Sequence, residues 1–164
     1  MKVENKNLII TDPCYIAKDE DWGSDFDWEY NEIKIPDFSD FLWIPSGWGD
    51  GSPQVNEIDR DVDLDEYVDS LTSARDRGDE EEEQELLSIV NNIGEFGIDS
   101  GCMGVFDYDE AIKYNPDFLN ELPDNCYCII EDFSGTVDYI TDLLGYNHIV
   151  LDPTDKEEPI IITD

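Results

Sequence analysis

An α+β fold, a mostly antiparallel sheet with an acidic helical hairpin laid on one side, is predicted by three features of this 164-residue sequence. The first is content: 40% of the residues are hydrophobic and 12% aromatic. That is enough to offset chain entropy with one buried core at this length, whereas an acidic tail poor in aromatics stays unfolded. Second, short stretches rich in β-branched and aromatic residues alternate with turn-forming residues. Third, apolar residues between Asp59 and Ile93 recur every three or four positions, the helical period. No internal repeat and no long linker divides the chain, so one domain over residues 1–164 is expected.

Taken in order, Leu8-Ile9-Ile10-Thr11 reads as a strand stopped by Asp12-Pro13, with Cys14-Tyr15-Ile16 as a second short extended piece. An acidic loop follows, with Trp22, Phe26, Trp28 and Tyr30 set among Asp19, Glu20, Asp21, Asp25, Asp27 and Glu29. Its alternation from Asp25 to Glu32 has the period of a half-buried strand with a carboxylate face. Phe41 to Ile44 is a strand, and Pro45 to Gly51 a turn-rich loop. Leu64, Tyr67, Val68, Leu71 and Ala74 share one helix face, and Leu86, Val90 and Ile93 a second, with the break near Arg77-Gly78-Asp79. Asp79 is placed to cap the second helix, whose glutamate run then lies in first turns that the macrodipole favours for anions. Cys102 to Phe106, Cys126 to Phe133, Thr136 to Ile140, Ile149 to Leu151 and Ile160 to Thr163 read as strands, with Ser134-Gly135 as a hairpin turn. Asp109 to Asn115 reads as a short helix ended by Pro116.

Charge says most about function. Forty-three Asp and Glu against nine Lys and Arg give a formal net charge of −34. Compacting such a chain sets like charges against one another, a cost that burial must offset and that a basic partner or bound cations would relieve. Direct nucleic-acid binding is excluded, because too few cations are present to neutralise phosphates. The apolar stretch near the amino terminus, Leu8 to Ile10, is far short of a membrane span or a signal-peptide core, so a cytoplasmic protein without membrane contact is expected.

Motifs of catalysis are weak. Lone His148 has no nucleophile in a family-type context beside it, and a surface or core-edge histidine explains it. Asp99-Ser100-Gly101-Cys102 offers a Ser or a Cys, but a turn entering a strand accounts for it equally. Cys126 and Cys128 form a C-x-C with neither a second cysteine pair nor a histidine pair, so no zinc site is expected; in a strand both thiols would share one face. Asp59, Asp61, Asp63 and Asp65 alternate as calcium ligands do, yet counted from Asp59 the positions that need Gly and Glu hold Leu64 and Ser70. Gly47 to Gly51 lacks the helix and Lys of a phosphate loop. The chain is expected to be neither an enzyme nor a cofactor protein.

Thr11-Asp12-Pro13-Cys14-Tyr15, Trp48-Gly49-Asp50-Gly51 and Asp99-Ser100-Gly101 together resemble a pattern in uncharacterised phage and bacterial proteins, in which a DPCY turn precedes GDG and DSG segments. The resemblance implies a phage or mobile-element origin and no particular chemistry. By charge and size the chain also looks like the acidic DNA-mimic proteins that phages use against restriction and CRISPR nucleases. Duplex DNA carries one negative charge per ~1.7 Å of axis, and helix carboxylates three or four residues apart stand about 5–6 Å from one another. The partner-binding set expected on this basis is Asp59, Asp61, Asp63, Asp65, Glu66, Asp69, Asp76, Asp79, Glu80, Glu81, Glu82, Glu83 and Glu85, facing a basic nucleic-acid-binding host protein. Aromatic anchors among Trp22, Trp28 and Trp48 would assist. The alternatives are a divalent-cation-binding or carboxylate-based hydrolytic enzyme, and an accessory protein whose charge serves solubility alone.

Overall fold

A computed structural model describes residues 1–17, 26–27, 32–33 and 42–163. Eight strands form one antiparallel sheet: β1 (Lys2–Thr11), β4 (Leu42–Pro45), β5 (Gln54–Ile58), β6 (Val90–Glu95), β7 (Cys102–Asp107), β8 (Tyr127–Thr141), β9 (Asn147–Pro153) and β10 (Ile160–Thr163), in the order β4-β7-β1-β8-β9-β10-β5-β6. A two-stranded ribbon, β2 (Phe26–Asp27) with β3 (Glu32–Ile33), is separate from it. The helices are α1 (Pro13–Ile16), α2 (Leu64–Arg77), α3 (Glu80–Leu87), α4 (Tyr108–Tyr114) and α5 (Phe118–Glu121). The expected α+β class with a mostly antiparallel sheet is what the chain adopts.

Alternation along the strands divides the core in two. Leu8 and Ile10 of β1, Ile149 and Leu151 of β9, and Ile160 and Ile162 of β10 point to one face, where they pack with Ile44, Val55, Val105 and Val137 from the other strands and with Phe96 just after β6. Strands from both ends of the sheet therefore share one core, and the sheet curls over its own concave face. At Gly94 in β6 an added Cβ would sit 2.8 Å from the Cys128 Sγ of β8, so the last strand comes back against the middle one. The intervening residues Ile9, Val150 and Ile161 face outward and are buried under helices: Ile9 with Ile16, Phe106, Ala111 and Phe118, and Val150 and Ile161 with Tyr67, Val68 and Leu71 of α2. Runs such as Ile160-Ile161-Ile162 are continuous, not alternating, because both faces of those strands are covered.

Four sequence expectations change. The extended piece after Asp12 is instead the turn of helix α1, with the Asp12 carboxylate accepting from the Cys14 N–H and Pro13 at the first helical position, where its missing N–H is harmless. Ser134-Gly135 is not a hairpin turn. Strand β8 runs through it without a break, paired to β1 on one side and β9 on the other. Gly135 is needed for close approach: a Cβ there would lie 2.2 Å from the Asp152 carbonyl oxygen. Helix α3 ends at Leu87, and Val90 and Ile93 belong to strand β6, since Asn91, Asn92 and Gly94 are poor helix formers and β5 offers a ladder, bulged at Ile93. Strand β5 itself, residues Gln54–Ile58, has no counterpart in the sequence reading. The proposed strand from Asp25 to Glu32 lies outside the described residues except at Phe26, Asp27 and Glu32.

Candidate partner-binding surface

The acidic segment folds as the helical period requires, with Tyr67, Val68, Leu71 and Ala74 buried. Three of the four helix ends are capped from within the segment. Asp63 accepts from the Glu66 N–H at 3.1 Å, and Asp79 from the Glu82 N–H at 3.2 Å. Gly78 ends α2 in the left-handed conformation at φ 65°, its N–H directed to the Ala74 and Arg75 carbonyls. Arg75 and Arg77, in the last turn of α2, bind Glu83 at 2.9 Å and Glu82 at 2.5 Å and so clasp α3 to α2.

These contacts sort the thirteen expected residues. Asp59, Asp63 and Asp79 each spend an oxygen on a backbone N–H, and Glu82 and Glu83 on an arginine. Asp61, Asp65, Glu66, Asp69, Asp76, Glu80, Glu81 and Glu85 are exposed, and among the described residues their side chains make no hydrogen bond or ion pair. Thirteen carboxylates against three arginines leave the segment at −10. Helix α2, about 21 Å long at 1.5 Å per residue, holds four of these carboxylates and two of the arginines, and most of the rest lie on α3 and its cap; a duplex as long as α2 carries about 12 charges. Exposed carboxylates such as Glu4, Asp50, Asp109, Asp124 and Glu131 lie on other elements too, so the hairpin is the densest part of an acidic surface and not its only part.

Two residues outside that set, Asp138 of β8 and Asp152 of β9, come to lie beside the start of α2. With Asp63 and Asp65 they rim a groove floored by Val62, Leu64, Ile140 and Val150. Only the alternation Thr136, Asp138, Ile140 hinted at this, since their meeting with α2 is set by the packing of the hairpin. Asp59, Asp61, Asp63 and Asp65 do not converge, and among the described residues no three His, Cys, Asp or Glu side chains come together as a metal site.

His148 is 3% exposed, under α2, with Nε2 3.4 Å from Asp142 Oδ2. That oxygen also accepts from the Thr72 hydroxyl at 2.8 Å, and Oδ1 accepts from the Leu144 and Tyr146 N–H groups. Burial raises the Asp142 pKa, but the bonds from Thr72, Tyr146, Leu144 and His148 outweigh it and hold the carboxyl below its ordinary value. The cluster fastens the β8–β9 turn to α2 and presents no nucleophile at the surface. Trp48 stands edge-on to Tyr146 at 6.0 Å and 5.8 Å from His148, at the margin of the core.

The three phrases DPCY, GDG and DSG meet in space. Asp12, fully buried, accepts from the Cys14, Asp99 and Ser100 N–H groups and the Ser100 hydroxyl at 2.7–2.8 Å, and Tyr15 donates to Asp99 at 2.6 Å. Ser46 accepts from the Gly49 N–H and donates to the carbonyls of Gly49 and Gly101. With every oxygen lone pair of Asp12 engaged, the cluster is a clamp between strand ends. Burial pushes the Cys102 thiol up to about 11 and Cys14 higher still, so neither is an activated nucleophile. All four cysteines are free, with Cys126 in a 3₁₀ turn and Cys128 in β8.

No protein-family model, curated protein or solved structure matches this chain.

Proposed function

We propose that this chain is an acidic, non-catalytic inhibitor of phage origin that occupies the nucleic-acid-binding groove of a host defence nuclease, a CRISPR effector or a restriction enzyme, in place of DNA. The observation that carries the reading is the α2–α3 hairpin: ten carboxylates against two arginines, −8 in all, with the apolar face of α2 buried against the sheet. Caps and arginine clasps hold the backbone still, so the outward carboxylates keep their spacing when a partner approaches. Binding by fields of opposite sign is fast and weakens with salt, since screening sets in beyond about 8 Å at physiological ionic strength.

The test is displacement of labelled duplex DNA from a CRISPR effector or a restriction endonuclease. The chain should displace DNA in low salt and progressively less as salt rises. The variant carrying Asp65→Asn, Asp69→Asn, Asp76→Asn, Glu80→Gln and Glu81→Gln should lose affinity by about tenfold or more, each lost contact weakening the salt dependence. If the chain fails to displace DNA from any such enzyme even at low salt, the inhibitor reading is wrong.

A further inference from the structure

The groove between the first turn of α2 and strands β8 and β9 differs from the rest of the acidic surface in its apolar floor. Two adjoining hollows of about 400 and 380 Å³ share Val62, Leu64, Asp138 and Val150 and form one trough. Either is more than ten times the ~30 Å³ that one water occupies in the liquid. Asp65 on one wall is exposed and has no ion-pair partner among the described residues, and Asp138 on the other uses one oxygen for the Tyr139 N–H.

Hydrocarbon between carboxylate walls is a poor seat for a hydrated small cation, which gains nothing from the floor, or for a neutral apolar segment, which would strip water from unpaired carboxylates. It matches a side chain that is apolar along its stem and cationic at its end. Arginine fits better than lysine, because its planar, weakly hydrated fork binds carboxylates two bonds at a time. One such group lines the edge of the trough. Arg60, at its β9 end, sets its guanidinium on Asp152 at 2.8 Å, the Pro153 carbonyl at 2.9 Å and the Glu157 carbonyl at 2.6 Å.

We propose that this groove receives an arginine side chain of a basic protein partner, its stem along Val62, Leu64 and Val150 and its guanidinium between Asp65 and Asp138. The assignment rests on the reading that the acidic surface meets a basic protein, and it supplies the side-chain preference that charge alone lacks.

Polyarginine and polylysine peptides of equal length serve as probes, titrated at near-physiological salt with the methyl resonances of the chain as readout. Polyarginine should shift Val62, Leu64, Ile140 and Val150 and bind about fivefold tighter than polylysine or better. Asp138→Asn, which leaves the acceptor for Tyr139 in place, should abolish the preference. Glu80→Gln with Glu81→Gln should weaken both peptides alike and keep it. Equal affinity for the two peptides, shifts confined to α3, or a preference that survives Asp138→Asn overturns the arginine seat. No nuclease is involved, so the two proposals fail separately: an arginine preference without DNA displacement leaves the groove standing, and displacement without the preference leaves charge alone.

Discussion

Asp12 and Asp142 are two buried carboxylates in a chain whose other described acids are mostly exposed: Asp12 gathers backbone from distant parts of the sequence, and Asp142 ties its own turn to the distant Thr72 hydroxyl. Asp12 collects four donors, three of them more than eighty positions away. Asp12→Ala strands those donors at a site with little water, and we expect a loss of about 3 kcal/mol in urea unfolding, from ~1–3 kcal/mol per unsatisfied buried group. An unchanged midpoint would mean that water replaces the carboxylate. Asp142 and Asp107 test the pH dependence. Burial raises the Asp107 pKa, but Lys6 at 2.5 Å and the Glu110 and Asp109 N–H groups bring it below its ordinary value, as happens at Asp142. A carboxyl depressed in the folded state adds stability above its unfolded pKa of about 3.9 and loses it as pH falls through the folded value. Asp107→Asn with Asp142→Asn should therefore be less stable at neutral pH but show a shallower loss of stability below about pH 4 than the parent. Parallel acid limbs would count against it.

At the level of elements, glycine serves two different ends. Gly78 holds the left-handed cap between α2 and α3, with open space where a Cβ would go. Gly78→Ala therefore carries only a conformational cost, about 1 kcal/mol. Gly135 has no unusual dihedral, yet a Cβ would meet the Asp152 and Pro153 backbone at 2.2 and 2.8 Å. Gly135→Ala should part β8 from β9 and cost about 3 kcal/mol or more, the range of serious overpacking. Comparing the two denaturant midpoints checks both, and similar losses would contradict the distinction. Sequence reading mistook Gly135 for a turn because both uses leave the same mark, a Ser-Gly between apolar runs. It placed the break at Gly78 correctly because there the cap, the apolar period and the flanking charges agree.

Over the whole molecule, −34 on a curled sheet with helices outside opposes compaction through repulsion that no single contact relieves. Screening should help: the melting temperature should rise by about 5 °C or more between low salt and half-molar salt. Sodium and tetramethylammonium chloride should act alike if the effect is screening, and a rise confined to one cation would point to bound ions instead. The same charge that strains the fold is what a cationic cleft would neutralise, so a bound partner should raise the melting temperature in proportion to its occupancy.

From residues in order, the charge, the apolar content, both acidic helices and most of the strands of the main sheet could be read, because each depends on neighbours a few positions apart. That the acidic segment forms helices was legible for the same reason, though not which of its carboxylates would be spent on caps and arginines. The union of DPCY with DSG, the passage of β8 through Ser134-Gly135, the conversion of Val90 to Ile93 into a strand and the groove at Asp138 were decided only when the chain folded. Each needs a partner tens of residues away, and the energy of a sheet ladder or a buried carboxylate belongs to the pair, not to either sequence segment alone.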